Sequence, residues 1–369
     1  MKKATTFIKN NAVACVAAVA ALVTSFIIKP DEQYIGYFDF RTLTCLFCTL
    51  AVVCAFKNIH IFEIISRKIV GFFHTARSAV IALVYITFIG SMVLANDMAL
   101  ITFLPLGYFV LSTTHNKKYM AFTFIMQNIA ANLGGMITPF GNPQNLYMYS
   151  YFNIPTGEFV SIMALPFAIS ITLITACCFL VGREELVLHD DHEEKFCAWR
   201  TVLYTVLFVF SIMIVFRIVP YVWGLVIVIV ALLILDWKAL LQVDYGLMFT
   251  FCAFFVFAGN MARIPAVNDF LQWLIAKNTL LYGTLSCQFI SNVPSAILLS
   301  RFTQNYPQLL VAVNIGGAGT LIASLASLIT FREYSKHAPN EVGTYIKLFS
   351  AFNFGILIIL LIVMSFVFA

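Results

Sequence analysis

A broken stretch inside a long apolar run limits what this chain can fold into. Residues 132–146 read Asn-Leu-Gly-Gly-Met-Ile-Thr-Pro-Phe-Gly-Asn-Pro-Gln-Asn-Leu, and apolar residues continue on both sides. Proline removes a backbone donor and glycine loosens the backbone, so this segment cannot stay helical throughout. Lipid cannot satisfy the unpaired groups, and interrupted backbone is tolerated at membrane depth only beside protein or a watery cavity. The stretch therefore predicts a broken membrane helix next to such a cavity.

Residues 314–328 repeat this design near the other end of the chain, as Asn-Ile-Gly-Gly-Ala-Gly-Thr-Leu-Ile-Ala-Ser-Leu-Ala-Ser-Leu. Of the 369 residues, 61% are hydrophobic and 11% are charged, whereas soluble domains carry roughly a quarter charged residues. We therefore predict an all-α polytopic membrane protein, whose net charge of +5 reflects membrane topology and not nucleic-acid binding. Interrupted membrane segments at matching positions of two halves point to the binding site of a transporter.

Hydropathy predicts about nine full spans and two re-entrant hairpins. Residues 12–28 resemble the apolar region of a signal peptide, but they lack a small-x-small cleavage site and more spans follow, so we expect a retained first span. One hairpin turns at Asn96-Asp97 and the other at Ser291–Pro294, the latter with about a dozen helical residues on each side. Segments 57–77 and 260–278 mix apolar and charged residues and are predicted to lie along the membrane interface.

Basic residues set the predicted orientation. With the N-terminus in the cytoplasm, six of the 22 Lys and Arg residues fall on the outer face and the others on the inner face, as the positive-inside rule requires. The outer six are Lys29, Arg41, Arg217, Arg263, Lys277 and Arg301; the inner group includes Lys2, Lys3, Lys9, Lys195 and Arg332. We expect a cytoplasmic-membrane protein with its C-terminus outside.

The two halves of the chain align at three anchors in the same order. The aligned pairs are Asp39 with Asp244, Asn96 with Asn292, and Asn132 with Asn314. Because the two units start on opposite sides of the predicted membrane, they must be inverted copies. The predicted units are residues 1–182 and 219–369, joined by a cytoplasmic loop and a linking span at 183–218.

Four motifs carry a resemblance to a known superfamily. They are Ala95-Asn96-Asp97-Met-Ala-Leu, Asn132-x-Gly-Gly-x-x-Thr138-Pro139-x-Gly141-Asn142-Pro143-x-Asn145, Ser291-Asn292-Val-Pro294-Ser-Ala and Asn314-Ile-Gly-Gly-x-Gly-Thr320. With these motifs the chain resembles the ion transporter superfamily of divalent anion/sodium symporters, citrate permeases, arsenite permeases and some sodium/proton antiporters. It looks like the short citrate-transporter-like permeases of bacteria.

The resemblance implies a homodimer with a scaffold domain and a moving transport domain that contains both hairpins and both broken helices, working by elevator-type alternating access. In the dicarboxylate symporters each hairpin tip resembles Ser-Asn-Thr. Here the third position is Asp97 in one tip and Val293 in the other. The loss of both hydroxyls weakens the expectation of a dicarboxylate substrate.

Helix N-termini at the bilayer midplane carry partial positive charge and free N–H donors, so they can hold an anion without Lys or Arg. No basic residue stands near either motif core in the sequence. Unwound carbonyls with Asn or Ser side chains can coordinate sodium. Candidate substrate-binding residues are Asn96, Thr138, Asn142, Asn145, Ser291, Asn292, Asn314, Thr320 and Ser324; candidate ion-coupling residues are Asp97, Asn96, Gly135, Gly141, Asn292 and Gly317. The alternative is that these groups only satisfy broken backbone or bridge closely packed helices.

Asp97 is the most specific single candidate, because ionisable groups inside membranes are costly and mark pathways or proton relays. We hypothesise that it carries the coupling proton or binds a cation when ionised; the alternative is an N-cap on the helix at 98–113. Asp39 and Asp244 are expected to be helix caps. The run His189–Glu194 suggests either a metal site or, in preference, a solvated acidic loop.

We therefore predict secondary active transport of a small anion, a carboxylate or an inorganic oxyanion, coupled to protons or sodium. Alternatives are a sodium/proton antiporter, an arsenite-type efflux permease and a passive anion channel. The sequence contains no HExxH, Walker or nucleophile-elbow motif, so an enzyme is not expected. Cys45 and Cys48 have CxxC spacing without a second ligand pair, so we expect no metal site and no cofactor besides sodium as a coupling ion.

Overall fold

The computed structural model describes residues 12–185 and 197–369 and is helical throughout its regular elements. Lys2, Lys3, Lys9, Lys195 and the acidic loop His189–Glu194 lie outside the described residues. The first half contains α1 (Ala12–Ile27), α2 (Phe40–Asn58), α3 (Ile61–Gly71), α4 (Ala76–Leu94), α5 (Asn96–Thr113), α6 (Met120–Gly134), α7 (Pro143–Tyr151) and α8 (Thr156–Cys178). Then follow α9 (Ala198–Val215), α10 (Tyr221–Leu241), α11 (Tyr245–Arg263), α12 (Pro265–Lys277), α13 (Thr279–Ile290), α14 (Asn292–Leu299), α15 (Tyr306–Ile315), α16 (Leu325–His337) and α17 (Val342–Val367).

Eight helical stretches of these two ranges are long and apolar enough to cross a membrane, and α1 and α15 are shorter apolar helices. The prediction of an all-α polytopic membrane protein is confirmed. In the stretch Lys117–Ile137, which contains α6, 83% of the most apolar 18 residues are buried, whereas only 22% are buried in the corresponding part of α10. Helix α6 is therefore central to the bundle, whereas α10 presents most of its apolar surface outward, as a lipid-facing helix does.

Two helical hairpins occur where the sequence predicts them. Helices α4 and α5 meet at Ala95, which has φ of 67°, and α13 and α14 meet at Ser291, which has φ of 75°. Helix α14 has eight residues and not the expected dozen; it ends at Leu299, and turn residues follow from Ser300. The segments predicted along the membrane interface contain the separate helices α3 and α12.

Both predicted breaks are present. Helix α6 ends at Gly134 and α7 starts at Pro143, where a missing N–H costs nothing in the first turn. Gly134 lies against the Phe88 carbonyl of α4 so closely that a Cβ would overlap it, which lets α6 pack on the hairpin. In the second half, Gly319 takes φ of 123° between α15 and α16.

Polar contacts hold the bundle at its two ends. Arg263 forms a 2.6 Å ion pair with Asp31 and also donates to the Tyr37 hydroxyl, while Arg301 donates to the Tyr37 carbonyl. Lys118 forms a 2.6 Å ion pair with Glu184 at the base of the first hairpin. The basic residues predicted for opposite membrane faces therefore take part in separate sets of contacts.

The capping roles expected for two aspartates are present. The Asp39 carboxylate accepts from the Thr42 N–H at 3.0 Å at the start of α2. Asp244 accepts from the Leu247 N–H at 2.9 Å at the start of α11. Each satisfies one of the free donors of a helix N-terminus.

Candidate functional site

Four helix N-termini converge on one cavity of about 100 Å³. They belong to the second arms of both hairpins, α5 and α14, and to the second parts of both broken helices, α7 and α16. The cavity-lining residues at these ends are Asn96, Pro143, Asn292 and Ser324. Each N-terminus contributes partial positive charge and backbone N–H groups, so together they form a cavity suited to an anion.

The two hairpin tips use the same local bonds. The Asn96 side-chain oxygen accepts from the next backbone N–H, that of Asp97, at 3.0 Å, and Asn292 accepts in the same way from Val293 at 2.9 Å. An asparagine that bonds the next N–H fixes its own amide plane beside the helix start. Both asparagines are buried and line the cavity.

A threonine ties each broken segment to its own hairpin. Thr138 donates to the Met92 carbonyl at 2.9 Å, and Thr320 donates to the Gln288 carbonyl at 3.0 Å. Met92 and Gln288 each lie three residues before the tip residue with positive φ. These threonines, predicted as substrate-binding residues, use their hydroxyls for backbone carbonyls, and neither lines the cavity.

Buried amides connect the two halves across the centre of the molecule. The Asn132 side-chain oxygen accepts from Asn96 at 3.1 Å and from Ser324 of the other half at 2.7 Å. The Asn314 oxygen accepts from Asn142 of the first half at 3.3 Å. The bond from Ser324 to Asn132 and the bond from Asn142 to Asn314 relate equivalent positions, since Ser324 and Asn142 are the residues preceding α16 and α7.

The carbonyls exposed by each break are satisfied by different residues. The Asn145 amide donates to the carbonyls of Gly135, Met136 and Thr138, each at 3.2 Å. In the second half, Gln288 performs this role and donates to Gly316 at 2.8 Å and Ala318 at 3.2 Å. Sequence reasoning missed Gln288. Its signal in the sequence was a glutamine within a mostly apolar hairpin arm.

The structure therefore divides the predicted site residues into two groups. Asn96, Asp97, Ser291, Asn292 and Ser324 line the cavity. Thr138, Asn142, Asn145, Asn314 and Thr320 lie in the supporting hydrogen-bond network behind it.

The three predicted glycines permit close approach. A Cβ on Gly135 would overlap the Gly141 carbonyl, and a Cβ on Gly141 would overlap the Gly135 carbonyl. The backbone segments on the two sides of the break therefore contact each other at these glycines. Gly317 lies beside the Asn292 amide, 3.1 Å from where its Cβ would be. Larger residues at these positions would force the break apart.

Asp97 lies in the first turn of α5 and faces the cavity. The N-cap position belongs to Ala95 and the helix starts at Asn96, so the alternative that Asp97 is the N-cap is wrong. One carboxylate oxygen of Asp97 is buried and, within residues 12–185 and 197–369, accepts no hydrogen bond. The side-chain oxygens of Asn142 and Gln144 are also buried and accept no hydrogen bond from the described residues. A buried oxygen without a donor can bind a cation, and a carboxylate oxygen can instead bind a proton.

Two further charged residues line the cavity. Asp244 does so in addition to capping α11. Arg332 of α16 also lines it, so a basic residue reaches the cavity although none stands near either motif core in the sequence. The sequence held a signal for this, because Ser324, Leu328 and Arg332 are spaced four residues apart and so share one face of α16.

Comparisons with known proteins relate the chain to membrane transporters. A sequence model described as citrate transporter matches residues 3–309. An uncharacterized transporter of Methanocaldococcus jannaschii is 31% identical over 307 residues, which cover 83% of this chain and 84% of that protein. The inner membrane protein YbiR of Escherichia coli is 30% identical over 283 residues, which cover 73% of each.

Proposed function

The chain belongs to the citrate transporter family and is a membrane transporter, and from this premise we propose that it moves a small anion across the cytoplasmic membrane by secondary active transport. The observation that supports this most directly is the convergence of four helix N-termini on one cavity. Half-helix N-termini directed at anionic substrate groups recur in secondary transporters. The substrate is a carboxylate or an inorganic oxyanion.

Asp97 couples the anion to an ion gradient in this proposal. An ionised carboxylate facing the cavity repels a bound anion, so anion binding is favoured when Asp97 is protonated or neutralised by a cation. Within the described part of the chain, one side-chain oxygen each of Asp97, Asn142 and Gln144 accepts no hydrogen bond, and this supports either a proton or a sodium ion as the coupling species. Because coupling is reciprocal, the bound anion also raises the affinity for that ion.

The lining of the cavity supports elevator-type movement. One wall comes from both hairpins and both broken helices, which would form the transport domain, and the other wall comes from α1 and α11, through Val13 and Asp244. Sliding of the first group against the second would carry the cavity across the membrane. Val13 and Asp244 belong to the starts of α1 and α11, so in the predicted orientation the cavity opens towards the cytoplasm.

The same proposal treats residues 1–182 and 219–369 as inverted repeats and the working unit as a homodimer. Two pairs of equivalent hydrogen bonds support the repeat. Thr138 and Thr320 each donate to a carbonyl of their own hairpin, and Asn142 and Ser324 each donate to the asparagine of the opposite half.

The test uses purified wild-type protein. Thermal unfolding is measured with citrate, succinate, phosphate, sulfate and arsenite, each with and without sodium, and uptake of any stabilising anion is then measured in proteoliposomes with an imposed pH or sodium gradient. We expect at least one anion to stabilise the protein and to accumulate against its gradient. Stabilisation by sodium alone, with sodium/proton exchange, would overturn anion transport in favour of an antiporter, and gradient-independent equilibration would indicate a channel.

A further inference from the structure

Among the described residues that line the cavity, Arg332 is the basic one; the rest of the wall consists of helix N-termini, two carboxylates, small polar groups and apolar side chains. It lies on α16 eight residues after Ser324, which corresponds to an axial rise of about 12 Å. Side chains on a helix lean towards its N-terminus, and this tendency favours a guanidinium position closer to the Ser324 end than the axial rise alone gives.

The chemistry of Arg332 differs from that of the helix ends. A helix N-terminus supplies about half a charge from fixed backbone N–H groups. An arginine supplies a full charge and a planar set of donors that matches a carboxylate or an oxyanion in a bidentate geometry.

We propose that Arg332 binds a negatively charged group of the transported substrate and sets the preference of the site for substrates of higher negative charge. This inference rests on the proposed anion transport. In it, the anion spans from the N-termini of α14 and α16 at Asn292 and Ser324 to the Arg332 guanidinium. Arg332 lies beyond residues 3–309, so the family match does not assign it a role.

Two carboxylates of other elements face the same cavity, Asp97 of α5 and Asp244 of α11. They oppose anion binding, and the four helix N-termini together with Arg332 offset them. Replacement of Arg332 by a neutral residue therefore shifts the balance towards repulsion, and the shift is greater for a substrate with two charges than for one with a single charge.

The experiment compares Arg332→Gln and Arg332→Lys with the control Lys336→Gln. Lys336 lies on the same helix, is largely exposed and pairs with Glu333, so its removal tests a general loss of positive charge. Binding of citrate, of succinate and of singly charged monomethyl succinate to the purified full chain is measured by calorimetry, together with any inorganic anion that stabilises the wild type.

We expect Arg332→Gln to weaken the best-bound anion by about 10- to 100-fold, the effect of losing a charged hydrogen-bond donor. Arg332→Lys falls between this variant and the wild type because it keeps the charge and loses the bidentate geometry. Lys336→Gln binds as the wild type does. The ratio of the affinities for succinate and monomethyl succinate decreases in Arg332→Gln. A purely structural role for the arginine would leave this ratio unchanged.

Unchanged affinity and unchanged charge preference in a folded Arg332→Gln variant would overturn the inference. If that variant does not fold, wild-type affinity of Arg332→Lys for every anion tested would overturn it instead. A wild-type protein that binds none of the anions refutes the proposed function, and this result is distinct from either outcome for the variants.

Discussion

The two hairpin tips have the same backbone and different chemistry. Ala95 and Ser291 take φ of 67° and 75° with ψ of 148° and 159°, and each is followed by an asparagine that binds the next N–H. The next side chain is Asp97 in the first half and Val293 in the second. The shape of the site is therefore shared between the halves, whereas an ionisable tip belongs to the first half only.

The other charge on the moving side of the proposed transporter comes from the second half. Arg332 lies on α16, and its equivalent in the first half, aligned through Asn142 and Ser324, is Ser150 at the end of α7. If the two halves are inverted repeats as proposed, one copy supplies the Asp97 carboxylate and the other supplies the Arg332 guanidinium. The comparison teaches that the two halves share the backbone geometry of the site, whereas its charged side chains differ between them.

The largest expected effect comes from removing the charge of Asp97, which distinguishes the tip of the first hairpin from that of the second. Asp97→Asn keeps the shape and cannot exchange a proton, so we expect pH-driven uptake in proteoliposomes to fall about 100-fold, near the upper end of coupling between two sites. Anion binding at neutral pH is retained or strengthened because a repulsive charge is gone.

The control for Asp97→Asn is Asp269→Asn, an exposed aspartate of α12. This variant should transport as the wild type does. Intact pH-driven uptake in Asp97→Asn would show that the difference between the tips has no role in proton coupling.

The second prediction removes the side chain that donates to the free carbonyls of the second break. Gln288→Met gives the second half the residue that the first half has at Met92, and it leaves the carbonyls of Gly316 and Ala318 without this donor. We expect the free energy of unfolding to fall by about 2 kcal/mol, the cost of buried carbonyls left unpaired. Thermal or denaturant unfolding in detergent measures this.

A rescue sharpens the second prediction. Ser327 aligns with Asn145 through Asn132 and Asn314, and its buried hydroxyl has no partner among the described residues. Adding Ser327→Asn to Gln288→Met should restore at least part of the lost stability, because an asparagine there can donate to the broken segment as Asn145 does. No recovery would mean that the two breaks are not interchangeable at this position.

The third prediction makes the second tip resemble the first. Val293→Asp places another carboxylate on the cavity wall, and we expect the affinity for the transported anion to fall about tenfold, on the order of 1 to 2 kcal/mol of repulsion across a partly screened cavity. Val293→Asn has the same shape without the charge and should lose much less. Equal losses in the two variants would attribute the effect to shape and not to charge.

The sequence predicted the elements that depend on local chemistry. The glycines and prolines of 132–146 and 314–328 indicated both breaks, and the turn residues around Asn96 and Asn292 indicated both hairpins. Residues whose role depends on packing were predicted poorly. Gln288 and Arg332 face their partners only because α13 and α16 are turned towards the breaks and the cavity, and hydropathy does not specify that rotation.

The assignment of Thr138 and Thr320 to the substrate shows the same limit. Polar groups inside an apolar run are needed both by a ligand and by an interrupted backbone, and these hydroxyls bind the carbonyls of Met92 and Gln288. Composition cannot separate the two uses. Only the position of the hairpin arm decides which carbonyl lies within reach.

The smallest expected effect concerns a contact at the base of the first hairpin. Lys118 and the Tyr119 hydroxyl donate to Glu184, and these bonds lower the pKa of Glu184 to about 2 from its ordinary value of 4.5. The Glu184 carbonyl also accepts from Ala76 at the start of α4, so the contact fastens the loop after α8 to the hairpin.

A carboxyl with a lowered pKa stabilises the folded state above its unfolded pKa, and the stabilisation is lost as the pH falls through the folded pKa. The stability difference between wild type and Glu184→Gln should therefore be constant at neutral pH and disappear between about pH 4.5 and pH 2. It should be small and decrease in high salt, because the Lys118 and Glu184 side chains are 60% and 42% exposed. The exposed Asp31 at the other end of the bundle, whose pKa is also lowered by its bond to Arg263, provides the matched variant Asp31→Asn. If Glu184→Gln slows transport and Asp31→Asn does not, the ion pair of Lys118 with Glu184 affects transport through the hairpin and not through the stability of the whole bundle.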